Sequence, residues 1–449
     1  MTQGTSYSVF EYGYLVSEKN KARLCDAESI PEPAFNWLEQ RCLKDKESDD
    51  QRLLSLRTLN GVKVIQVKNY VGVIALPQQR FIEVLPKTGK YQDDKNLARQ
   101  QLLMMLKTLK AFRHIESASA SVKASKMSLM DVFIQQFITS LDVIVQKGLK
   151  HDYLRQQENL PWLKGKLHIS EQLKWNSVRR DRFFVEYDEY RVERPENRLL
   201  KTAIENVYGY TRNPVLLQAL SRLQALFEPI PEVHNVEIAF KQVRLDRHMQ
   251  HYTKALEWTR LILRGESPHC MQGNTDAISL LFPMEAVFEA FVTAWLRQHC
   301  HPLWQVKAQS RSHYLVQHGN SPLFQLRPDI CLIPHTGCAR SPVLCDMKWK
   351  IVATDKTQFN LSQSDLYQML AYGVNHLQGE GDMLLIYPKH EGFSAPLAHP
   401  FEYHHSGGKT LRLWVVPFET GSSLLSSRLL MPATFSLTES RNSALLSLQ

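Results

Sequence analysis

The sequence has no cysteine pair at CxxC spacing. Its seven cysteines, Cys25, Cys42, Cys270, Cys300, Cys331, Cys338 and Cys345, are an odd number scattered along 449 residues. Such usage argues against a disulfide framework and fits buried thiols in a reducing compartment. The even spacing of Cys331, Cys338 and Cys345 invites a zinc reading, but Cys345 falls on the apolar face of a strand pattern, which removes it from a ligand set. No stretch approaches about 18 uninterrupted apolar residues, and Met1 to Tyr14 lacks a basic segment followed by an apolar one. A soluble, cytoplasmic protein with no membrane partner is expected. His313, His318, His404 and His405 lack metal-ligand spacing. No serine or cysteine stands in a nucleophile-elbow context, which disfavours a triad hydrolase. Gly407-Gly408-Lys409-Thr410 ends like a phosphate loop, but Tyr403 stands where that loop requires glycine and no apolar helix follows. The chain thus carries no evident nucleotide site, and no small-molecule substrate is expected.

What is present is ample apolar content, 43% hydrophobic residues, enough for large cores and two or three domains. The net charge of +9 favours a polyanionic partner, although many basic proteins bind no nucleic acid. Residues 1–95 read as a β-rich N-terminal domain, with strands at Ser8 to Leu15, Val62 to Val67, Tyr70 to Leu76 and Phe81 to Leu85 and a helix near Glu32 to Cys42. The charged run Lys44 to Arg52 reads as a solvated loop or helix start. Residues 96–265 read as a mainly helical middle region. Its stripes, Leu97 to Phe112 and Met127 to Val145, suit either a core seam or a protruding element that docks into another subunit. Arg179-Arg180-Asp181-Arg182 followed by Phe183-Phe184 suits either a nucleic-acid surface or a solvated cluster before a buried strand. The C-terminal block is 266–449, and its residues after about 420 read as a loosely attached tail.

The most informative stretch is Arg327-Pro328-Asp329-Ile330 followed, after one loop, by Cys345-Asp346-Met347-Lys348-Trp349-Lys350. From Val343 to Ile351 the odd positions are apolar, while Asp346, Lys348 and Lys350 share the other face of a strand. Leu323 to Ile333 reads as its partner strand, with Pro334, Gly337 and Pro342 marking the turn. Such a hairpin brings Asp329 close to Asp346. Two convergent carboxylates are hard oxygen ligands suited to Mg²⁺, and an adjacent lysine can orient water or offset charge on a phosphoryl transition state. A lone Asp-x-Lys would suit a solvated amphipathic hairpin equally well. The flanking elements carry more weight. A helix from Pro283 has the apolar stripe Met284, Val287, Phe288, Phe291, Trp295 with Glu289 beside it. A second helix, Ser364 to Tyr372, has Ser362 as its cap and Asp365 in the box position, with Asp365, Gln368 and Tyr372 along one face. A strand at Met383 to Tyr387 follows.

This order of elements is similar to that of the PD-(D/E)XK nuclease superfamily. Phe-Glu-x-Phe-Val at 288–292, Arg-Pro-Asp-Ile at 327–330, Asp-x-Lys-x-Lys at 346–350 and Asp-Leu-Tyr-Gln-Met-Leu-Ala-Tyr at 365–372 resemble the McrC family in particular. Further landmarks are Tyr70 to Ile74, Ile82 to Lys87, Leu163-Lys164-Gly165-Lys166-Leu167 and Glu196-Asn197-Arg198-Leu199-Leu200-Lys201, so the resemblance spans about residues 8 to 420. It implies an α+β or α/β chain whose C-terminal domain is a restriction-endonuclease-like mixed sheet flanked by helices. It also implies that the N-terminal region meets a motor subunit.

The mechanism expected is metal-assisted hydrolysis of DNA. Asp329 and Asp346, with Glu289 through water and the Met347 carbonyl, hold Mg²⁺, with Mn²⁺ as a substitute. Lys348 positions water or stabilises the transition state, Gln368 holds the substrate end or the catalytic shell, and Tyr372 braces it. Lys350 either touches the phosphate backbone or forms a salt bridge. By resemblance the chain cuts modified DNA in a McrBC-like restriction system, assembled with an McrB-like AAA+ GTPase hexamer, so that GTP enters only through that partner. Two alternatives stay open: a stand-alone PD-(D/E)XK nuclease of DNA repair, and a non-catalytic scaffold that activates a partner NTPase.

Overall fold

The computed structural model describes residues 6–44, 53–91, 94–109, 127–264, 280–300, 303–309, 313–335, 341–404, 408–433, 435 and 437. Cys270, Cys338, His405, Gly407, most of the Lys44 to Arg52 run and the expected start of the C-terminal block near 266 lie outside these residues. The fold is mixed α+β with several sheets. Its chain divides into two compact units that are not consecutive blocks. One comprises Met1–Ser6, Val73–Phe81 and Met127–Leu281, the other Tyr7–Gly72, Ile82–Lys126 and Phe282–Gln449. Segments hundreds of residues apart pack together in the larger unit: Trp349 Nε1 donates a 2.8 Å hydrogen bond to Glu11 Oε2.

In that larger unit, Tyr12 and Gly13 split the expected Ser8 to Leu15 strand into Ser6–Phe10 and Tyr14–Ser17. Tyr12 has φ 60°, a left-handed conformation that ends a strand. Strands Glu28–Ile30, Tyr14–Ser17, Val62–Val67 and Leu54–Leu59 form one sheet in that order. The principal sheet runs Trp304–Ala308, Ile330–Pro334, Val343–Met347, Gly381–Pro388, Thr410–Glu419, Phe401–His404, with Arg428–Leu429 pairing the Thr410–Glu419 strand. Its first three strands are antiparallel; the Gly381–Pro388 strand pairs in parallel with Val343–Met347 and with Thr410–Glu419.

Helices Met284–His299 and Gln363–His376 both contact the Val343–Met347 strand. The Gln363–His376 helix packs Met369 and Tyr372 against Leu344, Met383, Leu385, Leu411 and Leu413. It approaches so closely that a Cβ on Gly373 would lie 2.6 Å from a Leu411 methyl and 2.7 Å from Met383 Sδ. Phe288, Phe291 and Trp295 of the Met284–His299 helix set their rings edge-on to Phe418. With helices on either side and a parallel neighbour, every residue of Val343–Met347 is buried. Asp346 is therefore not the solvated carboxylate that simple alternation suggests.

Two further expectations are corrected here. The single partner strand Leu323 to Ile333 is two strands, Ser321–Leu326 and Ile330–Pro334, the first pairing with His313–His318 in a hairpin. Pro328 lacks a backbone N–H and biases Arg327 away from helical angles, and the chain turns between sheets there. Residues beyond 420 are not loosely attached as far as they are described. Trp295 Nε1 donates to Ser427 O and Trp304 Nε1 to Leu437 O, each at 2.8 Å, and Phe435 stacks on Trp414.

The smaller unit gathers helices Leu129–Lys147, Pro195–Tyr208, Pro214–Phe227 and Thr253–Arg264. The first is capped by Ser128, whose hydroxyl accepts from Asp131 N–H. It is long and apolar enough to cross a membrane by length and composition, but Phe133, Phe137, Leu141 and Ile144 are all buried in the core. Among the helices of this mainly helical region stands a three-stranded antiparallel sheet, Asp152–Leu160, Phe183–Arg191 and Lys166–Leu167 in that order, which the helical pattern did not reveal. Its strands carry many charges, with apolar side chains left in solvent, so no inward-outward alternation marks them. Gly165 has φ +70° and sits where a Cβ would fall 2.6 Å from Glu186 O, so only glycine fits the turn.

Candidate active site

The strand register builds the site. Ile330 pairs with Cys345 in an antiparallel ladder, so the preceding Asp329 falls opposite the following Asp346. Asp329 Oδ2 accepts a 2.7 Å hydrogen bond from Met347 N–H, which fixes its carboxylate toward the strand end. Asp346 is 1% exposed. Its Oδ2 lies 2.7 Å from Lys348 Nζ and has no other hydrogen-bond partner.

Lys348 Nζ also donates to Gln368 Oε1 at 2.8 Å. Gln368 Nε2 donates to Tyr372 OH at 2.8 Å, and Tyr372 OH donates to Arg327 O at 3.0 Å. This chain of bonds ties the helix face 368–372 to the lysine and to the residue two before Asp329. Asp329, Asp346, Met347, Lys348, Gln368 and Tyr372 are thus joined in one constellation. Glu289 is not hydrogen-bonded to it directly. Gln309, at φ 47°, donates its backbone N–H to Asp329 O (2.8 Å) and its side-chain amide to Glu289 Oε1 (3.2 Å), and so links Glu289 to the cluster.

Asp365 does not complete a capping box. Ser362 makes no side-chain cap bond, and Asp365 instead accepts from Lys350 Nζ at 2.7 and 3.0 Å, with Lys348 Nζ at 3.9 Å. Of the two roles open to Lys350, the salt bridge is the one observed. Sequence reasoning placed Asp365 on the correct helix face but gave it no part in the site, and it missed Gln309 altogether. Gln309 has no motif around it; its role depends on a left-handed backbone that a sequence does not announce.

Electrostatics single out the acids. Burial raises the Asp329 carboxyl well above the ordinary range, and the nearby Asp346 and Glu289 charges push it further. Asp346 is raised by burial, with Lys348 opposing. Glu289 is raised by burial and by Asp346, with the Gln309 hydrogen bond opposing. Three acids whose carboxyls are pushed upward by burial and by one another mark a candidate functional site. Among the described residues no group of three or more His, Cys, Asp and Glu side chains is arranged to hold a metal ion by itself. The donor set is the pair Asp329 and Asp346, with Asp346 Oδ2 held by the Lys348 ammonium alone. Two hard carboxylates fit a cation that takes its remaining ligands from water, backbone carbonyl and substrate, as Mg²⁺ does.

The family of McrBC 5-methylcytosine restriction system components matches residues 65–388. No curated protein matches. Among solved structures, a chain of the refined half-complex from the tetradecameric assembly of Thermococcus gammatolerans McrB AAA+ hexamers with bound McrC is 18% identical. The match covers 93% of this chain and 95% of that one at a TM-score of 0.65. A chain of the cryo-EM structure of the Thermococcus gammatolerans McrBC complex is 20% identical, over 66% of this chain and 88% of that one, at a TM-score of 0.49.

Proposed function

The chain belongs to the family of McrBC 5-methylcytosine restriction system components, and from that premise we propose that it is the DNA-cleaving, McrC-like subunit of such a system, with a PD-(D/E)XK site. One observation carries the reading. Lys348 Nζ is held 2.7 Å from Asp346 Oδ2 and 2.8 Å from Gln368 Oε1, at the end of a strand where Asp329 and Asp346 converge. A structural ion pair needs no second buried carboxylate beside it, whereas a metal-assisted phosphodiester hydrolase uses one as a further ligand.

Asp329 and Asp346 would hold Mg²⁺ or Mn²⁺, with the Met347 carbonyl and, through water, Glu289. The ion, when bound, supplies Lewis-acid polarisation of the phosphate and a more acidic water. Lys348 orients the attacking water and offsets the charge that builds on the phosphoryl oxygens. Gln368 fixes the Lys348 ammonium, and Tyr372 fixes Gln368 by anchoring it to the Arg327 carbonyl. Glu289, whose carboxyl burial pushes upward, is suited to exchange a proton with water at the edge of the site.

The partner would be an McrB-like AAA+ GTPase hexamer, as in the Thermococcus assembly, with GTP bound only by that partner. The smaller unit offers a surface for it. Trp162, Leu163, Ile169, Leu173, Trp175 and Val178 are each 59–90% exposed around its three-stranded sheet. Apolar side chains exposed together around one small sheet suit a protein–protein contact.

The test is cleavage of methylated and unmethylated DNA by the chain reconstituted with its AAA+ partner, GTP and Mg²⁺. Cutting should be confined to modified DNA and should vanish in Asp346→Asn and Lys348→Ala while the complex still assembles. Undiminished cutting by both variants would remove the site from the reaction.

A further inference from the structure

The Val343–Met347 strand ends one residue before Lys348. Lys348 N–H still donates to Ile386 O at 3.0 Å, but the chain beyond it has left the ladder. Trp349 is nevertheless buried at 2% exposure. Its ring packs on Phe288, centroids 5.1 Å apart, in the helix that carries Glu289. Its indole N–H and its backbone carbonyl are gripped by residues more than 260 positions upstream. The indole N–H donates to Glu11 Oε2 at 2.8 Å, and the carbonyl accepts from Lys87 Nζ at 2.7 Å. Lys87 N–H donates to the same Glu11 oxygen at 3.0 Å, and its ammonium stands 5.1 Å from the Tyr12 ring centre and 5.6 Å from that of Trp349. Glu11 N–H is in turn fixed by Leu85 O at 2.9 Å.

This arrangement is a costly way to bury a tryptophan. Glu11 is 2% exposed and its Oε1 has no hydrogen-bond partner. A buried carboxylate and ammonium lose solvation that an apolar pocket would not forfeit, and such pairs often contribute little net stability. What the pair does supply is direction: one acceptor and one donor fix Trp349 at both ends. Lys348 and Trp349 reach different helices, Lys348 to Gln368 and Trp349 to Phe288. Immobilising the tryptophan therefore fixes the backbone from which the Lys348 side chain departs.

We infer that Glu11 and Lys87 are positioning residues for Lys348, acting through Trp349 as a clamp on the segment that follows the Asp-x-Lys strand. The inference rests on the nuclease reading for its kinetic consequence, but the clamp itself is a statement about Lys348.

The experiment compares Glu11→Leu, Glu11→Gln, Lys87→Met and Trp349→Phe in the full chain. Trp349→Phe keeps an aromatic ring but deletes the N–H and shrinks the bicyclic indole to a single ring, so it is read beside the Glu11 and Lys87 variants, which leave the indole intact. Two readouts are taken at a temperature where melting curves show every variant folded. The first is the rate of Lys348 acetylation by an amine-reactive reagent, followed by peptide mass spectrometry. The second is single-turnover cleavage with the AAA+ partner, GTP and Mg²⁺. Displacing a reacting group by about 1 Å can cost on the order of a hundredfold in rate. Glu11→Leu, Lys87→Met and Trp349→Phe should therefore lower the cleavage rate at saturating DNA by about tenfold or more, with the half-saturating DNA concentration unchanged. Acetylation of Lys348, and not of other lysines, should accelerate severalfold. Glu11→Gln, which keeps the acceptor, should restore both. Acetylation of Lys348 at the wild-type rate in Glu11→Leu and Trp349→Phe overturns the clamp. Accelerated acetylation together with a wild-type chain that cuts no DNA supports the clamp and overturns the nuclease reading.

Discussion

Gln368 Oε1 accepts a 2.8 Å hydrogen bond from Lys348 Nζ while its amide donates to Tyr372 at 2.8 Å, so the glutamine can point only one way. Replacing it with leucine leaves Lys348 with Asp346 and the more distant Asp365 carboxylate and loosens the hold on its ammonium. Gln368→Leu should cost on the order of tenfold to a hundredfold in the cleavage rate, with DNA affinity little changed. Tyr372→Phe, which removes the bonds to Gln368 and to Arg327 O but leaves the Lys348–Gln368 bond, should cost less. Single-turnover cleavage reads both, and equal losses in the two variants would show that the order of the relay is wrong.

The three acids predict how metal affects stability. Burial shifts the carboxyl pKa values of Asp329, Asp346 and Glu289 upward in the folded chain, so the native state retains protons that the unfolded chain gives up. Their contribution is present in full below the ordinary carboxylate range and is lost as pH rises through the raised folded values. A divalent cation takes the place of those protons, and it competes better as pH rises. Addition of Mg²⁺ should therefore raise the melting temperature more at pH 8 than at pH 6. The shift should disappear in Asp329→Asn and in Asp346→Asn. Calorimetry or dye-based melting at the two pH values decides it.

Much of this site was legible because its residues are close in sequence to the pattern that reveals them. Apolar alternation located the Asp-x-Lys strand, and three- and four-residue steps placed Gln368 and Tyr372 on one helix face. Alternation could not tell that the strand is covered on either side, since a central strand and an edge strand both permit one charged residue. The Glu11–Trp349 bond joins residues 338 apart, and nothing local to either encodes it. The sheet at 152–191 escaped notice because its strands are charged and half exposed, with none of the buried period that marks a strand. The landmark at Glu196-Asn197, by contrast, was visible as a motif without its reason being visible.

That reason is structural. Asn197 is fully buried, donates its amide to Lys150 O and Val192 O at 2.8 Å each, and accepts from Tyr252 OH at 2.9 Å. Tyr252 OH in turn accepts from Lys150 N–H. Asn197→Leu leaves two carbonyls and a hydroxyl buried without these partners, and each lost bond of this kind costs about 1–3 kcal/mol. Denaturation midpoints should fall by an amount equivalent to several kcal/mol, about 3–5 in all. Asn197→Asp, which cannot donate, should also be strongly destabilised.

Glu11 predicts a second pH effect, separable from the metal site. Burial pushes its carboxyl up to about 7, with Lys87 and the bonds from Lys87 N–H and Trp349 opposing and Glu285 adding to the rise. Raised above the unfolded value, it contributes stability that is complete below about pH 4.5 and is lost as pH approaches 7. At about 1.4 kcal/mol per unit the loss is on the order of 3 kcal/mol. Glu11→Gln should flatten the corresponding part of the melting-temperature profile in metal-free buffer. A profile as steep as that of the wild type would assign the slope to other acids.

The exposed apolar residues of the smaller unit predict a separation of folding from assembly. Trp162 and Trp175 are 59% and 60% exposed, and Trp175 Nε1 donates to Glu171 Oε2 at 2.8 Å within its own helix. Neither side chain supports the core, so Trp162→Ser and Trp175→Ser should change stability by no more than about 0.5 kcal/mol. Tryptophans in such settings often carry a disproportionate share of binding, at 2 kcal/mol or more each, roughly a 30-fold loss of affinity when truncated. Binding of each variant to the purified AAA+ partner, measured with GTP present, should weaken accordingly, and cleavage should recover when the partner is supplied at higher concentration. If cleavage stays low at saturating partner, these residues act on DNA or on the site itself. Unchanged affinity in both variants would place the docking surface elsewhere on the chain.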